Sequence, residues 1–201
     1  MQGQDYEIIQ RVLTGEKRAF AELVDRHKDK AMTLAVKMLR NREDAEEALQ
    51  DAFVRTFKAL PRFEWKASFS TWFYRIVYNC CATMLAKRGD EKHDSIDEED
   101  ENRKIELESD SMLPDIAYES REFQNLLLRE IARLPEAYGA TFTLFFVQEL
   151  SYEEIVEVTG LPIGTIKARL FRARSILRIK VARHFRGEAV QEAESKKEYG
   201  T

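Results

Sequence analysis

"SYEEIVEVTGLPIGTIKARLFRARSILR", residues 151–178, holds two helical signals separated by a turn. Ser151, followed three residues later by Glu154, forms a capping box in which each side chain satisfies a backbone N–H at a helix start. Gly160 closes the short helix, and Pro162 is preset for the first turn of the next. At about 100° per residue, Ile166, Leu170, Ala173, Leu177 and Val181 gather on one side of that second helix, which must be the buried side. Lys167, Phe171, Arg172, Ser175 and Arg178 fall on the opposite side. An aromatic ring among cations on a solvent face calls for a partner that covers it. A short capped helix, a glycine turn and a longer basic helix make a helix-turn-helix. In that motif the second helix enters the DNA major groove with its N-terminal residues at the base edges. Arg and Lys suit guanine O6/N7 or phosphate, and an apolar ring suits the thymine methyl. No acid interrupts the chain from Lys167 to Arg186, which fits phosphate contacts further along.

The surrounding chain has 201 residues, enough for one domain or two small ones. Four Pro, eight Gly and long Ala/Glu/Arg/Leu-rich runs point to an all-α protein. The formal net charge is −4, so the basic helix is a local feature rather than an overall bias. Upstream of the motif, helices are expected over about 118–133 and 136–149, with Phe142, Phe145 and Phe146 inside. Together with the two motif helices they make a four-helix helix-turn-helix domain over 118–186, followed by a tail, 187–201.

The N-terminal half, residues 1–89, reads as a second helical domain. A short helix fits Asp5 to Thr14 and a long one Lys17 to Leu39, with Phe20, Leu23, Val24, Ala31, Leu34, Ala35 and Met38 at helical spacing. The third helix, "NREDAEEALQDAFVRTFKAL", starts at Asn41, a good N-cap residue. Its early acids, Glu43, Asp44, Glu46 and Glu47, suit the positive end of the helix dipole. Ala45, Ala48, Leu49, Ala52, Phe53, Phe57 and Leu60 form its inward stripe, and Pro61 ends it. After the loop "RFEWKAS" comes "FSTWFYRIVYNCCATMLAKR". There Phe69, Trp72, Phe73 and Ile76 should face inward, with Thr71, Arg75, Tyr78 and Asn79 on the other side or its edge.

Between the halves, "DEKHDSIDEEDENRKIELESDSMLPD" holds twelve acids and only Lys92, Arg103 and Lys104 as bases. With no periodic apolar residues it cannot offset the entropy of folding by itself. Residues 90–117 are expected to be an acidic, flexible linker.

Several classes are excluded. No apolar run approaches the ~20 residues that span a bilayer, and no signal-peptide pattern opens the chain, so a cytoplasmic protein is expected. Adjacent Cys80 and Cys81 cannot form an ordinary disulfide within a helix, and with only three histidines no zinc spacing exists. No Walker loop, HExxH or GxSxG is present. The reading is of a non-enzyme that needs neither metal nor cofactor.

"LPIGTIKARLFRAR" resembles the signature of bacterial RNA polymerase sigma factors of the extracytoplasmic-function (ECF) type. "REDAEEALQDAFVRTFKAL" and "FSTWFYRIVYN" are similar to that family's other two hallmark stretches, and the resemblance covers residues 5–186. It implies a subunit that directs core RNA polymerase to promoters. The N-terminal domain would bind the clamp of the largest subunit and read and melt the minus-ten element. The C-terminal domain would bind the flap of the other large subunit and read the minus-thirty-five element. An anti-sigma factor is an implied partner, as is promoter DNA.

Carried over by motif, Lys167, Ala168, Phe171 and Arg172 take the minus-thirty-five reading positions, with Arg169 and Arg174 on phosphates or along the flank. The family usually has Ser where this chain has Ala168, which can touch a thymine methyl but cannot hydrogen-bond. For the minus-ten element the candidates are Phe63, Lys66, Ser68, Phe69, Arg75 and Asn79. Single strands are held by aromatic platforms beside positive charge, although core packing competes for Phe69, Trp72 and Phe73. The polymerase-facing candidates on the third helix are Asp44, Glu47, Gln50, Asp51 and Arg55. Two other readings stay open at this point. A plain helix-turn-helix regulator explains residues 151–186 but gives "REDAEEALQDAF" and the aromatic loop no task. A module that only sequesters a partner leaves the basic helix unexplained.

Overall fold

The structure is a computed structural model that describes residues 2–91 and 121–198. Nearly all of the expected linker therefore lies outside the described residues. The N-terminal half comprises α1 (Gln2–Leu13), α2 (Phe20–Leu39), α3 (Arg42–Ala59) and α4 (Phe69–Glu91), with short 3-10 turns at Lys17–Ala19 and Leu60–Arg62. No strand occurs among the described residues. Gly15, at a φ of 110°, lets the chain turn from α1 toward α2. Asn41 caps α3 as its sequence suggests, its side chain accepting from the backbone N–H groups of Glu43 at 2.8 Å and Asp44 at 3.2 Å.

The helices bury the expected stripes: Leu23, Ala31, Leu34, Ala35 and Met38 on α2, and Ala45, Ala48, Leu49 and Ala52 on α3. Phe53 and Phe57 lie at the edge of the core, with Phe53 stacked on buried Phe73 at 4.9 Å. A polar cluster flanks this core, with Asp5 and His27 buried and Arg26 reaching solvent. Asp5 of α1 accepts from Arg26 at 2.8 Å and faces the His27 ring nitrogen at 3.2 Å, tying α1 to α2.

The C-terminal half comprises α5 (Arg121–Ala132), α6 (Glu136–Phe146), α7 (Tyr152–Thr159) and α8 (Ile163–Glu198). Both arms of the Ser151–Glu154 capping box are formed, and Gly160 ends α7 in the left-handed conformation at a φ of 73°. On α8, Ile166, Leu170, Ala173 and Leu177 are buried, while Val181 is half-buried. The helix continues past the expected domain end to Glu198.

Phe146 departs from the reading, being 45% exposed. It stacks on buried Phe142 at 4.3 Å instead of entering the core. The inward positions of α6 go to Ala140, Thr141, Thr143 and Leu144 because α6 is covered by α2 on one side and α8 on another. Small residues permit that double packing, and each buried threonine hydroxyl can bond a carbonyl one turn back, as Thr141 does to Ala137 at 2.9 Å.

That double cover joins the two halves. α6 packs on α2 and α7 packs on α4, and one apolar cluster runs from Phe73 and Val77 to Leu144, Ile155 and Ile166. Thr71, expected at the edge of α4, is thereby only 1% exposed. Its hydroxyl donates to Glu154 at 2.7 Å. The Lys37 ammonium donates to the carbonyls of Ile131 (2.7 Å), Ala132 (2.9 Å) and Leu134 (3.0 Å), capping the C-terminal end of α5. Burial pushes the Lys37 amine down to about 8, still charged at neutral pH. Gln148 donates to the Lys30 carbonyl at 2.7 Å.

Candidate nucleic-acid and partner interfaces

The outward face of α8 carries the readout candidates. Lys167, Ala168, Phe171 and Arg174 are exposed, while Arg169 and Arg172 are half-buried. The cations are held on rings supplied by the neighbouring helices. Lys167 lies 5.9 Å from the Tyr152 ring centre, and the Arg174 guanidinium lies 5.5 Å from that of Phe146 and 5.9 Å from that of Phe145. Arg172 sits 6.0 Å from the Tyr138 ring and donates to its hydroxyl at 3.4 Å. Such contacts fix a long side chain and set the angle at which it projects. Tyr138 and Tyr152 were not among the sequence candidates. Their signal was present only as aromatics on otherwise polar positions of neighbouring helices. Phe171 stands out from this face at 39% exposure, as the helical wheel requires.

On the N-terminal half, the segment after Pro61 forms a row of rings. Tyr6 of α1 meets Trp65 at 5.0 Å, Trp65 meets Phe63 at 4.7 Å, and Phe63 meets Trp72 at 4.7 Å. Trp65 holds a left-handed backbone, φ 57°, and remains 38% exposed. Beside the row is a cavity of about 330 Å³ lined by Phe63, Trp72 and Thr71 with Arg62, Lys66 and Arg75. Aromatic walls next to three cations suit an unstacked base and its phosphate.

The candidates divide here. Phe63, Lys66 and Arg75 line the cavity, and Asn79 is exposed one turn beyond Arg75 on the same face of α4. Ser68 serves the fold locally, accepting from the Thr71 N–H at 3.1 Å and pairing hydroxyls with Thr71 at 2.7 Å. Phe69 is corrected to a core residue. At 4% exposure it packs under Phe63 at 6.0 Å and against His27 at 5.3 Å, supporting the platform without reaching its surface. One lining residue comes from the other half: Glu157 of α7. No reading of either half alone could have placed it there.

The exposed face of α3 carries Glu47, Gln50, Asp51 and Arg55, with Asp44 half-buried at its N-terminal end. Arg55 pairs with Asp51 at 2.8 Å, and Arg88 of α4 pairs with Asp44. The Arg55 hydrogen bond holds the Asp51 carboxyl below its ordinary range. Val54, 50% exposed in the middle of these charges, was missed in the sequence, although it follows the same logic as Phe171. The Cys80 thiol touches Asp51 at 3.6 Å. Burial pushes Cys80 up to about 11 and Cys81 up to about 12.

A helix-turn-helix with a basic outward face, and a cavity with aromatic walls and three cations lined mainly by the N-terminal half, are the features of a two-part, all-helical, DNA-binding protein. Family comparison agrees with that class. Residues 23–91 match the family description "Sigma-70 region 2" and residues 124–177 match "Sigma-70, region 4". The chain is 34% identical over 173 residues to the ECF RNA polymerase sigma factor SigW of Bacillus subtilis (strain 168), covering 85% of this chain and 92% of that one. It is 35% identical over 181 residues to the RNA polymerase sigma-H factor of Pseudomonas aeruginosa, covering 88% and 93%. It is 32% identical over 182 residues to the ECF RNA polymerase sigma-E factor of Escherichia coli K12, covering 88% and 94%. The fold is also similar to two solved structures. One is CnrH in complex with the cytosolic domain of CnrY, at TM-score 0.54, 22% identity and coverage of 85% and 92%. The other is the sigma factor RpoE in complex with the anti-sigma factor NepR from Bartonella quintana, at TM-score 0.60, 24% identity and coverage of 81% and 96%. This chain belongs to the sigma-70 family of RNA polymerase sigma factors, in its ECF branch. It is a transcription initiation factor and not an enzyme. No helix among the described residues is long and apolar enough to cross a membrane.

Proposed function

We propose that the chain works in the cytoplasm as an alternative sigma factor, with its tasks divided among the three surfaces above. The α3 face, through Asp44, Glu47, Gln50, Asp51 and Arg55 with Val54 at its centre, meets the polymerase clamp. The ring row and cavity capture a base of the minus-ten element, with Phe63 as the stacking surface, Lys66 and Arg75 as phosphate partners and Asn79 reading a base edge. The outward face of α8 reads the minus-thirty-five element. Phe171 and Ala168 offer apolar contact to thymine methyl groups, Lys167 and Arg172 reach base edges, and Arg169 and Arg174 serve phosphates. The C-terminal half also meets the flap of the other large subunit.

Promoter opening by such a factor consumes no nucleotide. Unstacking a base costs a few kcal/mol, which a pocket that receives the base must offset. The observation that carries the reading is the cavity of about 330 Å³ with aromatic walls and three cations in its lining, built by the N-terminal half with Glu157 of α7 as its one lining residue from the helix-turn-helix. A duplex-binding regulator has no use for it. Control by an anti-sigma factor is supported by the similar RpoE structure, which is bound to the anti-sigma factor NepR. Transcription by purified core polymerase on a promoter library tests the whole. Promoter-specific transcripts are expected only when the chain is added, whereas duplex binding without transcripts would return the regulator reading.

A further inference from the structure

We propose that the exposed pair Tyr6 and Trp65 is a second stacking site, which receives the base next to the one captured in the cavity. This inference rests on the proposed promoter-opening role and extends it from one nucleotide to two.

The row of four rings divides at Phe63. Phe63 and Trp72 pack against the hydrophobic core and wall the cavity. Tyr6 and Trp65 stand outside the cavity lining and are 49% and 38% exposed. Their rings meet at 51°, and Trp65 meets Phe63 at 52°, tilted contacts that leave part of each face uncovered.

The backbone imposes the position of Trp65. Its φ of 57° lies in the left-handed region, which glycine occupies freely and a bulky side chain occupies at a cost. A glycine would make the same turn without strain. Non-glycine residues held in this region cluster at ligand-binding and other functional sites. The other ring is also fixed. Tyr6 follows Asp5, which is tied to Arg26 and His27, and precedes buried Ile8 and Ile9. α1 packs on the Leu60–Arg62 turn that leads into the ring row, so the docking of this helix carries Tyr6 to Trp65.

The occupant follows from continuity. A nucleotide held in the cavity remains bonded to its neighbours, and a stacked strand advances about 3.4 Å per nucleotide. The ring centres of Phe63 and Trp65 are 4.7 Å apart, a step of that order. Lys66 follows Trp65 in the chain and lines the cavity, so one cation can serve the phosphate that joins the two nucleotides. It pairs with Glu64 at 2.5 Å, and an exposed pair of this kind holds its partners only weakly. Stacking accepts the face of any base. The second site therefore adds affinity for the open strand without demanding a particular base.

Holoenzyme assembled from core polymerase and the full chain is titrated with forked promoter DNA. The displaced strand is intact or carries one abasic site at each minus-ten position in turn. Trp65→Gly removes the ring at a backbone position that glycine favours, and Tyr6→Ala removes an exposed ring. Each should bind the intact fork at least about fivefold more weakly than wild type, while Tyr6→Phe should bind as wild type does. One position should make Phe63→Leu insensitive to its abasic site. At the position next to it, the abasic site should weaken wild type and Tyr6→Phe but not Trp65→Gly or Tyr6→Ala. If all the ring variants share one insensitive position, the proposal is overturned, because Tyr6 and Trp65 would then only prop Phe63. Undiminished affinity of Trp65→Gly or Tyr6→Ala would overturn it as well, as would equal losses in Tyr6→Phe and Tyr6→Ala. Weaker assembly of Trp65→Gly with core polymerase in the absence of DNA would assign the rings to a protein contact and also overturn it. If wild-type holoenzyme binds no fork, the promoter-opening reading itself fails. If it binds and Phe63→Leu alone shows an insensitive position, that reading stands and only the second site falls.

Discussion

Phe63 gives the most direct test of the proposed base capture in promoter opening. Its ring is half-buried, lies 4.7 Å from both Trp65 and Trp72, and forms one wall of the cavity. Phe63→Leu keeps apolar volume in the row and removes the flat face. Phe69 at 6.0 Å makes a third ring pair; each lost pair is worth about 0.5–1.5 kcal/mol beyond area burial, so a fold cost of roughly 1.5–4.5 kcal/mol is expected. That is tolerable for a domain of ordinary stability, about 5–15 kcal/mol. Loss of base stacking removes about 1–3 kcal/mol per base, a reduction of roughly 5–150-fold in the open-complex equilibrium constant. Fold and capture are separated by a double-mutant cycle. Open-complex formation is measured for wild type and Phe63→Leu on duplex promoters carrying an abasic site at each minus-ten position of the displaced strand. At the captured position wild type loses the stacking energy and the variant has none to lose, giving a coupling of about 1–3 kcal/mol. Additive losses at every position would refute a stacking role for Phe63.

Arg172→Ala should cost about 1–3 kcal/mol on a matched minus-thirty-five element and little on a scrambled one; equal losses in a binding titration would make it a phosphate contact. Asp5→Ala strips the partner from buried His27 and from Arg26, and urea denaturation at pH 7 should show a loss of about 3–5 kcal/mol. Burial pushes the Asp5 carboxyl up, but hydrogen bonds and charge from His27 and Arg26 outweigh it and hold it below its ordinary value. Its stabilising effect is therefore full at neutral pH and lost as pH falls below about 3.9 and through the lower native value. The wild-type and variant denaturation curves should converge in acid; a constant gap down to pH 2 would contradict this. At pH 8, Cys80 at about 11 and Cys81 at about 12 should be alkylated about a hundredfold or more slowly than free cysteine in native protein, as followed by mass spectrometry. Prompt labelling would show that α4 opens.

Local signals in the chain were strong where one residue type determines one conformation. Asn41, the Ser151–Glu154 pair and Gly160 set helix boundaries that the structure reproduces. The wheel of α8 placed Ile166, Leu170, Ala173 and Leu177 inside because a surface helix buries only one stripe. The readings that failed share one physical cause. Phe146 and Thr71 depend on which other helix covers them, and those neighbours lie far away in sequence; Glu157, for which the sequence offered no role, enters the cavity lining through the same packing. A helix such as α6, apolar or small on nearly all sides, signals that it is buried but not by what. Phe69 fell between two roles because both the core and a single-strand platform ask for aromatics at helical spacing. Tyr6 joins the ring row from the other end of the N-terminal half, a contact that no spacing rule could place.

The two surfaces proposed to meet DNA use the same pair of ingredients in opposite order, and the order suits the form of DNA each would meet. On α8, the rings of Tyr138, Phe145, Phe146 and Tyr152 lie behind the cations and brace them. A stacked duplex offers only base edges and phosphates, so what must project is a hydrogen-bonding group held at a fixed angle. In the row from Tyr6 to Trp72 the rings themselves form the wall, and Lys66 and Arg75 stand at the rim. A base out of the stack offers its face, which only another flat surface can match, while its phosphate remains outside. Exchanging the roles would defeat both surfaces. Rings in place of the α8 cations would leave base edges and phosphates without hydrogen-bond donors, since a ring such as Phe171 offers a duplex only apolar contact, and cations in place of Phe63 and Trp72 would leave an unstacked base without a surface to hold it. An overall charge of −4 is compatible with this division, because each surface concentrates a few cations where its aromatic partners fix their position.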